Sequence, residues 1–239
     1  GNANFKSEDG VVFTADGKEL VVYPCGKGTP TLGYGTYEYT VPTTVEKIRP
    51  SAFARVEGFS SVKMSAPLKE IGADAFNSCR YLQTVTVPST VTDIADGAFS
   101  GSIALTAINV EAGNTVYASA NGVLYNMDKT ELISYPAGKQ GAYTTEPTTK
   151  KIRKRAFYYA TKITKLTLTP SVEEIDNDAF QGTSKLKELV FQPTSNIKKI
   201  GTWVFVNSGL EKLELPASLQ ELGAAAFYGC TKLKTVTVD

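Results

Sequence analysis

The chain contains Ile71-Gly72-Ala73-Asp74-Ala75-Phe76, then Leu82-Gln83-Thr84-Val85-Thr86-Val87-Pro88-Ser89, then Ile94-Ala95-Asp96-Gly97-Ala98-Phe99. An aliphatic residue followed five positions later by phenylalanine thus returns after 23 residues, with an alternating apolar segment between. Working outward, seven such pairs occur: Ile48/Phe53, Ile71/Phe76, Ile94/Phe99, Ile152/Phe157, Ile175/Phe180, Ile200/Phe205 and Leu222/Phe227. They are separated by 23, 23, 58, 23, 25 and 22 residues. A fixed apolar pattern with this kind of period predicts a solenoid, in which each coil buries the open face of its neighbour.

Within each unit, apolar residues follow the phenylalanine as a triplet, such as Leu82, Val85, Val87 or Ile163, Leu166, Leu168. The last two alternate, as a short strand with one buried face requires. Pro88, Pro170, Pro193 and Pro216 then end the strands, because proline cannot donate to a continuing ladder. The segment before each phenylalanine is expected to form a turn or two of helix at most. Alanine directly precedes the phenylalanine in six of the seven units, where a small residue lets coils approach closely. In the Phe205 unit the triplet arrives one residue early, and Pro50 departs from the pattern, so irregularities are expected there.

Two longer modules interrupt the repeat. Asp9-Gly10-Val11-Val12-Phe13 through Leu20-Val21-Val22-Tyr23-Pro24 matches Asn121-Gly122-Val123-Leu124-Tyr125 through Leu132-Ile133-Ser134-Tyr135-Pro136 at a constant offset of 112. Two β-rich runs about a polar turn predict a hairpin. The expected organisation is one solenoid domain over 1–239: a hairpin module (1–44), three repeats (45–112), a second hairpin module (113–149) and four repeats (150–239). The predicted class is α/β and β-rich: a right-handed solenoid with a parallel sheet, short helical segments and two hairpin inserts.

Composition narrows the function. Net charge is +1, which gives no global attraction to nucleic acid or an anionic membrane. No apolar run is long enough to span a bilayer. The chain has no histidine, which removes His-based triads, the commonest general base and His-ligated metals. Cys79 and Cys230 share one repeat slot several coils apart and cannot pair. They and Cys25 are expected to be inert core thiols. No phosphate loop, Cys-x-x-Cys or EF-hand pattern occurs, so no enzyme activity and no cofactor are expected.

The strand Leu82–Val87 with Pro88-Ser89, and the segments Ile71–Phe76 and Ile94–Phe99, resemble the BspA-like leucine-rich repeat. The hairpins ending in Tyr23-Pro24 and Tyr135-Pro136 are similar to inserts in that family. The resemblance covers essentially the whole chain. It implies a secreted or surface-attached bacterial protein used for adhesion or for binding a host or matrix protein.

Three surfaces are candidate contacts. The first is the solvent face of the strands, with Lys63, Thr84, Thr86, Asn109, Lys165, Thr167, Glu188, Lys212 and Glu214, since solenoids offer their sheet as an extended binding face. The second is the tyrosine-rich hairpin modules, with Tyr37, Tyr39 and Tyr143, suited to stacking on sugars or peptides if the rings are not simply covering the core. The third is Lys150-Lys151-Ile152-Arg153-Lys154-Arg155, where Arg153, Lys154 and Arg155 could hold phosphate, a sulfated glycan or nucleic acid, or form only a solvated turn. Lys151, Glu174, Lys199 and Glu221 alternate in sign before the repeat aliphatics and are expected to form an ionic ladder. The final strand Val236–Val238 carries no polar cap, so the expectation is either that more sequence follows it or that the end pairs with another copy. The leading expectation is an adhesin-like protein binder; a glycan-binding module or a structural spacer are the alternatives.

Overall fold

A computed structural model describes residues 2–27 and 34–238. Part of the Gly/Thr-rich stretch of the first hairpin module, residues 28–33, lies outside them. The short strands Lys47–Ile48, Glu70–Ile71 and Asp93–Ile94 pair in parallel, with Ile48, Ile71 and Ile94 in register. Lys151–Ile152, Glu174–Ile175, Lys199–Ile200 and Glu221–Leu222 repeat the arrangement in the second half. A second wall is made of longer parallel strands: Tyr37–Thr40, Phe59–Lys63, Thr84–Val87 and Ala107–Val110, then Gly141–Thr144, Ile163–Leu168 and Glu188–Phe191. Lys212–Leu215 and Thr235–Val238 form a separate pair.

Between the two walls run the phenylalanines. Phe53 stacks on Phe76 at 4.8 Å and 7°. Phe180 stacks on Phe205 at 5.4 Å and 5°, and Phe205 on Phe227 at 5.5 Å and 2°. Phe53, Phe76, Phe99, Phe157, Phe180 and Phe205 are essentially inaccessible to solvent.

The expected helical segments do not form: among the described residues there is no helix. The reason lies in two left-handed positions per coil. The residue two before the phenylalanine has positive φ in every repeat: Ser51, Asp74, Gly97, Arg155, Asp178, Trp203 and Ala225. So does the residue two after it: Arg55, Ser78, Gly101, Tyr159, Gly182, Asn207 and Gly229. Alternate amides therefore point in different directions. Ser51, Phe53 and Arg55 donate to carbonyls of the next coil, whereas Ala52, Ala54 and Val56 donate three residues back. An α-helix would need every amide to reach back four residues along its own coil.

Each hairpin supplies the first coil of its half. Glu19–Val22 pairs antiparallel with Val11–Thr14 on one side and parallel with Lys47–Ile48 on the other, placing Leu20 beside Ile48. Tyr23 then heads the phenylalanine stack, 5.2 Å from Phe53. Glu131–Ser134 does the same beside Lys151–Ile152, and Tyr135 lies 4.6 Å from Phe157. The tyrosine fills the ring position two residues before Cys25, so Cys25 sits outside the core and is exposed, contrary to expectation. Cys79 is buried and Cys230 half-buried.

The second hairpin is also a shared wall. Leu124 and Ile133 belong to the core of the first half, Tyr125 and Leu132 to that of the second. Across this boundary the Ile94 amide, which would face another short strand, donates instead to the Tyr117 hydroxyl at 2.7 Å.

Candidate functional site

The strand face carries the residues expected there. Lys63, Thr84, Thr86, Asn109, Lys165, Glu188, Lys212 and Glu214 are exposed, and Thr167 is half-buried. Parallel register brings them into rows: Thr84 beside Ala107 and Thr86 beside Asn109, Lys165 beside Glu188, Lys212 beside Thr235 and Glu214 beside Thr237. Lys165 and Glu188 form an ion pair at 2.8 Å, and this pairing lowers the Glu188 carboxyl below its ordinary value.

Besides the division at the second hairpin, the face is interrupted once more, within the second half. Phe191 to Ile200 spans nine positions where Val87 to Ile94 spans seven, and Phe205 to Leu213 spans eight where Phe76 to Val85 spans nine. The added and lost residues put Glu188–Phe191 and Lys212–Leu215 in different sheets. A groove of about 870 Å³ lies at the break. Val190, Phe191, Pro193 and Pro216 line it along with Glu188, Lys212 and Glu214.

The hairpin tyrosines are placed otherwise than a stacking platform requires. Tyr143 is only 8% exposed, and its hydroxyl bonds the hydroxyl of buried Tyr125. Tyr37 and Tyr39 are half-buried. The Tyr37 hydroxyl donates to the Lys27 carbonyl at 2.8 Å and meets the Tyr23 hydroxyl at 2.7 Å. Tyr39 packs edge-on against Tyr23 at 4.7 Å, and burial pushes its phenol up to about 12. Tyr143 thus fills the interior beside the phenylalanine stack, and Tyr37 and Tyr39 pack against the core with only part of each ring left to solvent.

The basic run is largely neutralised. Arg153 donates from Nε and Nη2 to Asp96 Oδ1 at 2.9 and 2.6 Å. Arg155 Nη1 reaches both carboxylate oxygens of Asp74 at 2.7 and 2.9 Å, with its guanidinium 4.7 Å from the centre of the Tyr158 ring. Lys151 lies 3.4 Å from Glu174 and 3.5 Å from Asp176. Only Lys150 and Lys154 of the five cations form no ion pair among the described residues. The run is a clasp across the boundary between the halves rather than an open anion site. The ionic ladder is present over Lys151–Glu174 and Glu174–Lys199, the second pair at 3.5 Å.

A second groove, of about 930 Å³, lies on the edge where the phenylalanine turns stack, and of the candidate contact residues only Arg155 lines it. Arg55, Arg80, Ile103 and Tyr159 line it. A signal existed. Arg55 and Tyr159 occupy the slot two after the phenylalanine, which elsewhere holds Ser78, Gly101, Gly182, Asn207 and Gly229.

Among the described residues no helix is long and apolar enough to cross a membrane. The model of the BspA-type leucine-rich repeat region matches residues 35–140 and 150–239 in six copies. No curated protein matches the sequence. Among solved structures, the pneumococcal vaccine antigen PcpA is similar at 24% identity and a TM-score of 0.70, over 98% of this chain and 70% of that one. A leucine-rich cell surface protein from Faecalibacterium prausnitzii aligns at 22% identity and a TM-score of 0.68, over 84% of this chain and 59% of that one. A leucine-rich repeat protein from Eubacterium ventriosum aligns at 22% identity and a TM-score of 0.62, over 99% and 83%. These likenesses are of fold, and with a family match spanning most of its length the chain belongs to the BspA-type leucine-rich repeat family.

Proposed function

We propose that this chain is a non-enzymatic, adhesin-like module, displayed on a bacterial surface or secreted, that binds an extracellular protein such as a matrix protein. Its docking centre is the break in the strand face. The observation carrying this reading is the composition of that groove: Val190, Phe191 and two prolines between Glu188, Lys212 and Glu214. Protein interfaces combine an apolar, well-shaped centre with a polar rim. The regular part of the face, around Thr84, Thr86 and Asn109, offers only small polar groups, and binding energy concentrates on larger anchors. Family membership and the cell-surface protein among the similar structures support the placement outside the cell.

The test is binding of the chain to immobilised matrix proteins, fibronectin among them, by surface plasmon resonance. Val190→Asp combined with Lys212→Glu is expected to weaken binding by about tenfold or more, equivalent to about 1.4 kcal/mol. Thr84→Glu with Thr86→Glu is expected to leave it unchanged. The reverse pattern sinks the assignment of the groove, and absence of binding to any protein sinks the function.

A further inference from the structure

The chain has five arginines. Three are paired with carboxylates of other coils: Arg49 with Glu19, Arg153 with Asp96 and Arg155 with Asp74. The other two, Arg55 and Arg80, are exposed and form no ion pair among the described residues. Both line the same groove on the turn edge.

That groove is built by the repeat itself. Arg55, Ser78, Gly101 and Tyr159 hold one slot in four successive coils, tied together by amide–carbonyl bonds from Arg55 to Asn77, Ser78 to Ser100 and Gly101 to Tyr158. The two middle members are small and the two outer ones large, so the row makes a trough with a guanidinium at one end and a phenol ring at the other. Ile103, 39% exposed, and Tyr159, 41% exposed, add apolar surface. The Arg155–Asp74 pair closes one side and contributes no free charge.

We propose that this groove binds an acidic peptide segment of a partner protein. Carboxylates of the peptide seat on the Arg55 and Arg80 forks, which match carboxylate geometry with two parallel hydrogen bonds. An apolar side chain between them packs on Ile103 and Tyr159. Glu57 lines the same groove, and its carboxylate selects against a uniformly charged polyanion such as a sulfated glycan or nucleic acid. A peptide alternating acidic with apolar residues avoids that repulsion. This site lies apart from the break in the strand face and stands independently of it.

The experiment is fluorescence anisotropy with a short labelled peptide alternating glutamate and phenylalanine, titrated with the whole chain. A lysine–phenylalanine peptide and a labelled heparin fragment run beside it, with no matrix protein present. The glutamate peptide is expected to saturate, to weaken by about tenfold or more with Arg55→Glu and Arg80→Glu together, and to weaken partly with Arg55→Lys. Both arginine side chains are exposed, and an unchanged circular dichroism melt establishes that the variants fold. No saturable binding of the glutamate peptide, binding undiminished in the double variant, or tighter binding of heparin overturns the proposal.

Discussion

Arg155 holds Asp74, 81 positions earlier in the chain, through two hydrogen bonds from Nη1 at 2.7 and 2.9 Å. Between them stands Gly97, whose φ of +73° and missing side chain leave room for the guanidinium. A Cβ there would lie 2.9 Å from Asp74 Oδ1 and 3.4 Å from Arg155 Cδ. The pair is about two-thirds buried, at 28% and 33% side-chain exposure. A double-mutant cycle on Arg155→Ala and Asp74→Ala is expected to give a coupling of about 1 kcal/mol in urea unfolding, near the upper end for pairs in contact with water. Strict additivity of the two losses would show that the contact contributes nothing.

Ala225 occupies a left-handed slot with φ 50° and is exposed. The left-handed conformation costs a side-chain-bearing residue about 1–2 kcal/mol, partly offset by the extra chain entropy glycine loses, about 0.5–1 kcal/mol. Ala225→Gly is therefore expected to stabilise by about 0.5–1 kcal/mol and to raise the melting temperature by a few degrees. A lower melting temperature would contradict the strain argument.

The stacked rings differ in what surrounds them. Phe180 is fully buried between Phe157 and Phe205, whereas Phe227 is half-buried. Phe180→Ala is expected to cost about 3–5 kcal/mol, and Phe227→Ala less than half of that. Equal losses in parallel denaturation curves would refute this ranking.

Burial pushes the Cys79 thiol up to about 12 and also raises the phenols of Tyr23, Tyr39 and Tyr135. In each case the folded state holds its proton more tightly than the unfolded chain. Stability from these groups is therefore complete below their unfolded values, 9.0 for the thiol and 10.0 for the phenols, and is lost as pH rises through the folded ones. Urea midpoints are expected to fall steadily above about pH 9, and a flat profile to pH 12 would refute the linkage. At neutral pH a thiol reagent should label Cys25 quickly and Cys79 only on unfolding, because access as well as thiolate character limits the reaction.

The repeat, its ladders and both hairpins were legible because each is written in spacing that recurs. Ile48, Ile71 and Ile94 announce their register by separation alone. The absent helices were not legible: the left-handed slots accept Ser51, Arg155 and Trp203 alike, so no residue type marks them. Tyr23 and Tyr135 were misleading because they enter the ring stack two residues ahead of the phenylalanine spacing, with their neighbours Tyr39 and Tyr143 packed behind them. The basic run read as open charge because its partners, Asp74 and Asp96, lie 81 and 57 positions away and meet it only through the stacking of coils. The break in the strand face was half visible, as a miscount of residues around Phe205 whose effect on pairing depends on how the coils stack.

The second hairpin works as a bulkhead. Its two faces seal two separate interiors, while the outer edge runs past it unbroken through the Gly101 to Tyr158 bond. Because coils interact only with their neighbours, a lesion on one side is felt on the other only through that partition and the Arg153 and Arg155 clasp along its edge. Whole turns can be gained or lost in one compartment without redrawing the packing of its companion. Reach and recognition are thereby uncoupled: the array can change in length while a surface in the other compartment keeps its shape.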